Sequence, residues 1–200
     1  MYDYRTMTAE ERRDVIEARR RNHLPWHSHP HRELVGNVSY LVTAASYDHS
    51  SSVGHTPGRM AECEEGVLGI CREQAADIFA WCVLPNHYHV LLRTGQIKAL
   101  LKGLGQFHGR SSFNWNGQDR QRGRHCWYNA VERHIRSDRH FFASLNYVHH
   151  NPVHHGYVEK WLDWPWSSAA EFIEQLGRDE AATLWREYPL LDYGKKWDIY

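Results

Sequence analysis

The stretch WCVLPNHYHVLLR, residues 81–93, is an apolar run with two histidines set into its middle. The apolar residues on both sides are typical of buried strands, and the Pro-Asn dipeptide between them predicts a turn that separates two strands. Side chains alternate between the two faces of a strand, so His87 and His89 should share one face while Tyr88 points to the other.

Two imidazoles on one face of a strand can offer nitrogen atoms to a single divalent cation. Two ligands make only half of a metal site, so a third ligand has to come from another element. The chain has sixteen histidines, and the pair could equally consist of satisfied core or surface histidines. The spacing alone leaves both interpretations open.

A helix is predicted from an N-cap at Ser137 to Asn151, because Pro152 should stop or kink it there. Its large apolar side chains recur at helical spacing on one face, which should pack on the sheet. Tyr147 and Asn151 lie one turn apart on a different stripe of this helix. A phenol and an amide so placed can present a nucleophile and a metal ligand to one spot. A surface tyrosine whose ring only covers the edge of the core would occupy the same position on the helix, so the pattern leaves both interpretations open.

The remaining periodicities predict the order β-α-β-β-α-β-α. The elements are strands over 36–47, 78–84, 87–93 and 126–135, helices over 60–74, 97–113 and 137–151, and a last short helix capped by Ser168 and ended by Gly177. This order is typical of an α+β fold, a ferredoxin-like sandwich in which an antiparallel sheet carries helices on one face.

Composition favours an ordinary globular protein, with 42% hydrophobic and 24% charged residues. No stretch approaches the roughly 18 to 20 apolar residues of a membrane helix, and the N-terminal residues lack the apolar core of a signal peptide. The four cysteines show no C-x-x-C spacing. We therefore expect a cytoplasmic protein with reduced thiols and no membrane partner.

The net charge is zero, but the charges are segregated along the chain. Residues 93–140 hold ten bases against three acids, whereas residues 159–200 hold nine acids against five bases. The basic block can bind a polyanion or can simply form a solvated face. Its arginines alternate with aromatic residues, as in proteins that bind single strands, although the tryptophans could instead anchor the loop to the core. The candidate DNA-binding residues are Lys102, Arg110, Arg122, Arg124 and His155.

A second stretch, LNYVHHNPVHHGYVEKWLDWPWSS at residues 145–168, makes the sequence recognisable. Together with WCVLPNHYHVLLR it resembles the single-tyrosine HUH transposases. The branch that it resembles is the REP-associated tyrosine transposases, which carry a W-V-x-P-N-H-x-H strand and a later Y-I-x-x-N-P-V-x-x-G segment that ends in D-W-P-W-S-S. The resemblance covers roughly residues 38–172, and the two motifs in this order are more specific than either alone.

The resemblance implies a role for each of four residues. His87 and His89 take the place of the metal-binding histidine pair, Asn151 completes the metal site, and Tyr147 takes the place of the nucleophile. The implied reaction is metal-dependent nicking and strand transfer of single-stranded DNA through a 5′-phosphotyrosine, on hairpin-forming repeat DNA. The implied cofactor is Mg²⁺ or Mn²⁺, of which Mn²⁺ suits imidazole and amide ligands better.

The resemblance also implies a domain organisation. Residues 1–35 should form an N-terminal helix and a His/Pro-rich segment, residues 36–176 the HUH transposase domain, and residues 177–200 a C-terminal extension. Relatives include both arrangements of the catalytic helix, so a monomer and a homodimer are both expected alternatives.

One segment departs from the pattern. Relatives carry a W-Q-x-R-type strand where this chain has Tyr128, Asn129 and Ala130 after the tryptophan, so the local DNA contacts should differ. Two other activities remain open at this point. One is a non-catalytic module of the same fold that binds hairpin DNA for regulation, and the other is a simple metal-dependent hydrolase.

Overall fold

The computed structural model describes residues 36–74 and 76–190, together with Thr8 and Glu10. The residues from 36 onward lie in Leu34–Tyr200, one of the two compact units into which the chain divides. The predicted N-terminal helix and His/Pro-rich segment lie outside the described residues except for Thr8 and Glu10, and so does the predicted extension beyond residue 190. No helix in the described part is long and apolar enough to cross a membrane.

Four strands and five helices make up the described fold. The strands are β1 (Val38–Ala45), β2 (Asp77–Leu84), β3 (His87–Thr94) and β4 (Val131–His134). The helices are α1 (Pro57–Glu73), α2 (Ile97–Gln118), α3 (Asp138–His154), α4 (Ala169–Leu176) and α5 (Arg178–Glu187), with short 3₁₀ turns at Tyr47–His49 and Trp161–Asp163.

The strands form one antiparallel sheet in the order β2-β3-β1-β4. This is the ferredoxin-like order, and it confirms the predicted α+β class. The predicted fourth strand is shorter than expected, because only Val131–His134 pairs along β1 and the residues before it join the sheet through a single bridge between Ser46 and Trp127.

The helices cover both faces of the sheet, so the prediction of helices on one face was wrong. Val42 and Val90 pack under α1 and α2, whereas Leu41 and Leu91 pack against Leu145 and its neighbours on α3. The physical reason lies in the two central strands, β3 and β1. Both carry apolar side chains at odd and at even positions, so both faces of the sheet need cover. The helices α4 and α5 add to the layer formed by α3.

Two helix boundaries also differ from the sequence prediction. Ser137 caps α3 as predicted, since its Oγ accepts a hydrogen bond from the His140 N–H at 3.2 Å. The helix does not stop at Asn151 but continues through Pro152 to His154, and the missing N–H of Pro152 removes one helical hydrogen bond, to the carbonyl oxygen of Val148. The helix α2 likewise extends beyond residue 113 to Gln118.

Ser168 and Gly177 flank α4 as predicted, but the expected side-chain cap does not form. The Ser168 hydroxyl makes no capping bond; it accepts a hydrogen bond from the Trp81 N–H at 2.9 Å and lies 3.0 Å from Nε2 of His149. This serine therefore ties α3 and the start of α4 to strand β2.

Candidate active site

His87 and His89 lie on the inner strand β3, on the face that α3 covers. His87 pairs with Ala45 and His89 pairs with Thr43 of β1, while β2 borders the other side of the strand. The two side chains are 2% and 1% exposed, and their ring centroids are 4.9 Å apart. Strand alternation thus places two buried imidazoles edge to face beneath one helix.

The helix α3 brings the predicted nucleophile and the predicted third ligand to the same spot. Oη of Tyr147 lies 3.4 Å from Nε2 of His89, and Oδ1 of Asn151 lies 3.0 Å from Nε2 of His87. Tyr147 is 3% exposed and Asn151 is fully buried. All four residues that the sequence singled out therefore lie together, although about sixty residues separate the strand from the helix.

Two further residues hold the opposite nitrogen of each ring. Oδ1 of Asn86 lies 2.7 Å from Nδ1 of His87, and Oγ1 of Thr43 lies 2.7 Å from Nδ1 of His89. Both Nε2 atoms consequently point toward α3. The sequence analysis assigned no role to these residues; Asn86 stands beside His87 in the motif, but Thr43 becomes visible only from the pairing of β1 with β3.

Both histidine rings are neutral. Burial lowers the pKa of His87 to about 3, and the nearby His155 adds to this effect. Burial also holds the pKa of His89 well below its ordinary value, with a further contribution from His87. A neutral imidazole carries one N–H and one lone pair, which is the form that binds metal ions.

The surroundings of His87 fit a cation. The ring has a carbonyl oxygen at each nitrogen, yet its single N–H can satisfy only one of them, and the shorter contact is to Asn86. The lone pair on Nε2 then faces Oδ1 of Asn151, whose own Nδ2 is buried without a hydrogen-bond partner. Either a rotated Asn151 amide or a cation between the two atoms resolves this contact.

The distance between Nε2 of His87 and Oδ1 of Asn151 fits a divalent ion and fits a rotated amide. Neighbouring ligands of an octahedral ion with bonds of 2.0–2.1 Å lie about 2.9 Å apart, close to the 3.0 Å observed between Nε2 of His87 and Oδ1 of Asn151. Among the described residues, no group of three or more His, Cys, Asp or Glu side chains is arranged to hold a metal. A metal at this site would depend on the amide as its third protein ligand.

Of the predicted DNA-binding residues, only His155 reaches this site. Its ring centroid is 4.9 Å from that of His87, and its Nε2 is buried without a hydrogen-bond partner. Lys102 and Arg110 are exposed, but they lie on α2, which covers the opposite face of the sheet.

The other two arginines make contacts with neighbouring residues of the chain, although Arg122 is exposed and Arg124 is half-buried. Arg122 lies over the ring of Phe113 at 4.4 Å and donates a hydrogen bond to the carbonyl oxygen of that residue. Arg124 forms an ion pair with Asp119 at 2.7 Å. Both guanidinium groups therefore stabilise the loop that follows α2.

The tryptophans of the basic block belong to the core. Trp115 is fully buried and Trp127 is 5% exposed, and the two rings pack near each other at 5.9 Å. These tryptophans anchor the loop, so they offer no stacking surface for bases.

Comparison with known proteins gives the family. No protein-family model matches the chain. A protein of Haemophilus influenzae classed as a REP-associated tyrosine transposase is 30% identical over 155 residues, which span 68% of this chain and 82% of that protein. The chain belongs to the REP-associated tyrosine transposases. A family member of Escherichia coli K12 is 29% identical over 108 residues, 51% of this chain and 59% of that protein.

A solved structure of a REP-associated tyrosine transposase has the same fold as this chain. The structure of a REP-associated tyrosine transposase bound to a REP hairpin superposes with a TM-score of 0.59, at 19% identity, over 75% of this chain and 87% of that one. This likeness confirms the predicted fold of the family.

Proposed function

We propose that this protein nicks single-stranded DNA and transfers the strand through a covalent bond to Tyr147. The observation that carries the proposal is the meeting of Tyr147 with His87, His89 and Asn151 at one buried spot between β3 and α3. Membership of a transposase family supports it, since that family is named for a tyrosine.

The proposed reaction exchanges one phosphate ester for another. Oη of Tyr147 bonds to phosphorus while the bond from phosphorus to the 3′ oxygen breaks, so the strand that carries the 5′ phosphate becomes linked to the tyrosine. The phenolic proton is lost and the departing oxygen gains a proton, which leaves a free 3′ hydroxyl. Because no ester bond is lost overall, the reverse attack by a 3′ hydroxyl can rejoin strands without ATP.

The residues of the chain fit a divalent ion, Mg²⁺ or Mn²⁺, held by His87, His89 and Asn151. When bound, such an ion supplies Lewis-acid polarisation of the scissile phosphate. Asn86 and Thr43 hold Nδ1 of each ring and so would keep both Nε2 atoms turned toward the ion.

Access of DNA to Tyr147 requires local movement, because all four central side chains are buried. The half-buried ring of His155 packs against His87, and its displacement would open the site. Once a strand is bound, the surrounding apolar groups on β2 and α3 would exclude water and so favour transfer to tyrosine over hydrolysis.

The proposed substrate is hairpin-forming repeat DNA with a single-stranded tail. This proposal draws on the family and on a relative whose structure contains a REP hairpin. The protein would then work at the nucleoid, as a monomer or as a homodimer.

The test is a cleavage assay with labelled, hairpin-tailed single-stranded DNA in the presence of Mn²⁺. We expect a protein–DNA adduct on a denaturing gel, a released strand that a polymerase can extend from its 3′ hydroxyl, and loss of both products on chelation. Cleavage that leaves free 5′ phosphates and no adduct would identify a hydrolase. Hairpin binding without metal-dependent cleavage would instead identify a non-catalytic regulatory module.

A further inference from the structure

Four large apolar side chains are strongly exposed in the described part of the chain. They are Tyr47, Phe113, Val131 and Tyr157, with 37%, 67%, 53% and 40% of their surfaces exposed. Phe113 lies on α2, on the other side of the sheet from the histidines, and Val131 lies on the edge strand β4. The two tyrosines, in contrast, both border the candidate active site.

Tyr47 is linked to the site through Asn86. The Asn86 carbonyl oxygen accepts a hydrogen bond from the Ser46 N–H at 2.7 Å, and its Nδ2 donates to the carbonyl oxygen of His49 at 3.4 Å. The side-chain oxygen of the same asparagine lies against Nδ1 of His87. One residue thus joins the turn that carries Tyr47 to the first histidine.

The ring of Tyr47 is already part of an aromatic stack at the surface. It lies on His125 with centroids 4.7 Å apart and planes 22° apart, and Tyr128 packs beside it at 5.0 Å. The turn itself is unusual, because Asp48 and His49 both adopt left-handed φ values, 50° and 51°, which are uncommon for residues other than glycine. Such backbone conformations cluster at binding sites, and here they present the tyrosine to solvent.

Tyr157 borders the site from a second segment, the loop after α3. Its N–H donates to the carbonyl oxygen of Pro152 at 2.9 Å, which fixes it to the end of the helix. Its ring packs against Trp164 at 5.4 Å and lies 6.2 Å from His155, which in turn contacts His87. Tyr157 therefore also joins an aromatic pair that leaves part of the tyrosine exposed.

We propose that Tyr47 and Tyr157 are stacking sites for unpaired bases of the DNA strand next to the scissile phosphate. This inference rests on the proposed function, because that function places the phosphate at His87. Aromatic rings bind the faces of bases without regard to sequence, and a partly exposed ring held by an aromatic neighbour is already oriented for this purpose. The carboxylate of Asp48 beside Tyr47 would repel a phosphate, which favours contact with a base there over contact with the backbone.

Neither tyrosine belongs to the basic block, where stacking residues were expected from the sequence. The tryptophans of that block are buried. Tyr128 stands in the segment that departs from the family pattern, and it packs against Tyr47. This segment therefore contributes to the aromatic surface around Tyr47.

The test measures base stacking without cleavage, in protein that carries Tyr147→Phe. The probe is a hairpin oligonucleotide whose single-stranded tail contains 2-aminopurine at one position at a time, because the fluorescence of this base is quenched when it stacks. We expect quenching at two separate tail positions, one lost in Tyr47→Ala and the other in Tyr157→Ala. Each variant should weaken binding by about 5- to 150-fold, the range for one stacked base.

Phe113→Ala is the matched control, since it removes a more exposed ring from the opposite side of the sheet. Tyr47→Leu and Tyr157→Leu keep apolar bulk, so they separate a loss of stacking from a loss of packing, and circular dichroism checks that each variant folds. Quenching that persists in the tyrosine variants, or equal loss in Phe113→Ala, would overturn the assignment. If position-specific quenching occurs but the unmodified protein forms no adduct, the stacking sites stand and the proposed cleavage activity fails.

Discussion

Acidification is expected to destabilise the fold, because four histidines are buried as neutral rings. Burial lowers the pKa of His87 and His149 to about 3 and that of His108 to about 4, and it holds the pKa of His89 well below its ordinary value. In the unfolded chain these groups titrate near 6.5. As the pH falls through 6.5, the unfolded chain binds protons that the folded protein does not, so stability that is present above this pH is lost toward pH 4.

The magnitude follows from the pKa values. Between pH 7.5 and 5.5, each histidine that titrates at 6.5 when unfolded and below about 4 when folded lowers the free energy of unfolding by about 1.4 kcal/mol. The three histidines with pKa values of about 3 to 4 together account for roughly 4 kcal/mol. His89 contributes in the same direction. Small domains have unfolding free energies of about 5 to 15 kcal/mol, so the loss is a large fraction of the total.

The measurement is urea unfolding followed by circular dichroism at the two pH values, with a chelator present so that metal binding does not contribute. His108 stacks on Trp127 at 4.4 Å, and His108→Phe should keep this contact while it reduces the pH effect by about 1.4 kcal/mol. Phe113, which is 67% exposed, provides the control, and Phe113→Leu should leave the pH effect unchanged because it removes no titrating group. Equal unfolding free energies at pH 7.5 and 5.5 would refute the reasoning.

Three further predictions concern the metal site and the core. Thr43→Val and Asn86→Ala should each weaken Mn²⁺ binding by about 10- to 100-fold in calorimetry, since they free Nδ1 of a histidine; unchanged affinity would mean that these residues do not orient the rings. Asn151→Asp should strengthen Mg²⁺ binding, because a carboxylate is a harder, charged oxygen ligand, and weaker binding in the same titration would contradict a ligand role. Arg59→Met should lower the free energy of unfolding by about 2 kcal/mol or more, because the buried guanidinium donates hydrogen bonds to Asp119, Gln118 and the backbone. Arg93→Met, at an ion pair about half exposed, should cost less than about 1 kcal/mol, and similar losses in the two variants would contradict the burial argument.

The central residues of the site could be predicted from sequence because local periodicity determines them. Strand alternation was enough to place His87 and His89 on one face, and helical phase was enough to place Tyr147 and Asn151 on one stripe of α3. That these two surfaces face each other came from the family resemblance, and the hydrogen-bond distances between them come from the structure.

Features that depend on long-range packing were missed or wrong. Thr43 reaches His89 only because β1 pairs with β3 in one particular register, which no local pattern reveals. The hydroxyl of Ser168 was expected to cap α4 but accepts a hydrogen bond from the Trp81 N–H instead, because β2 is an edge strand and this N–H finds its partner outside the sheet. The prediction of helices on one face overlooked that the central strands β1 and β3 carry apolar side chains on both faces, so that each face needs cover.

The covalent bond to Tyr147 is the central claim, and peptide mapping tests it most directly. Protein incubated with Mn²⁺ and hairpin-tailed DNA is digested with nuclease and then with protease, and the peptides are analysed by mass spectrometry. The account predicts a nucleotide joined through its 5′ phosphate to the peptide that contains Tyr147, and no such product from Tyr147→Phe of unchanged stability. A nucleotide on any other residue, or cleaved DNA with no modified peptide, would contradict it.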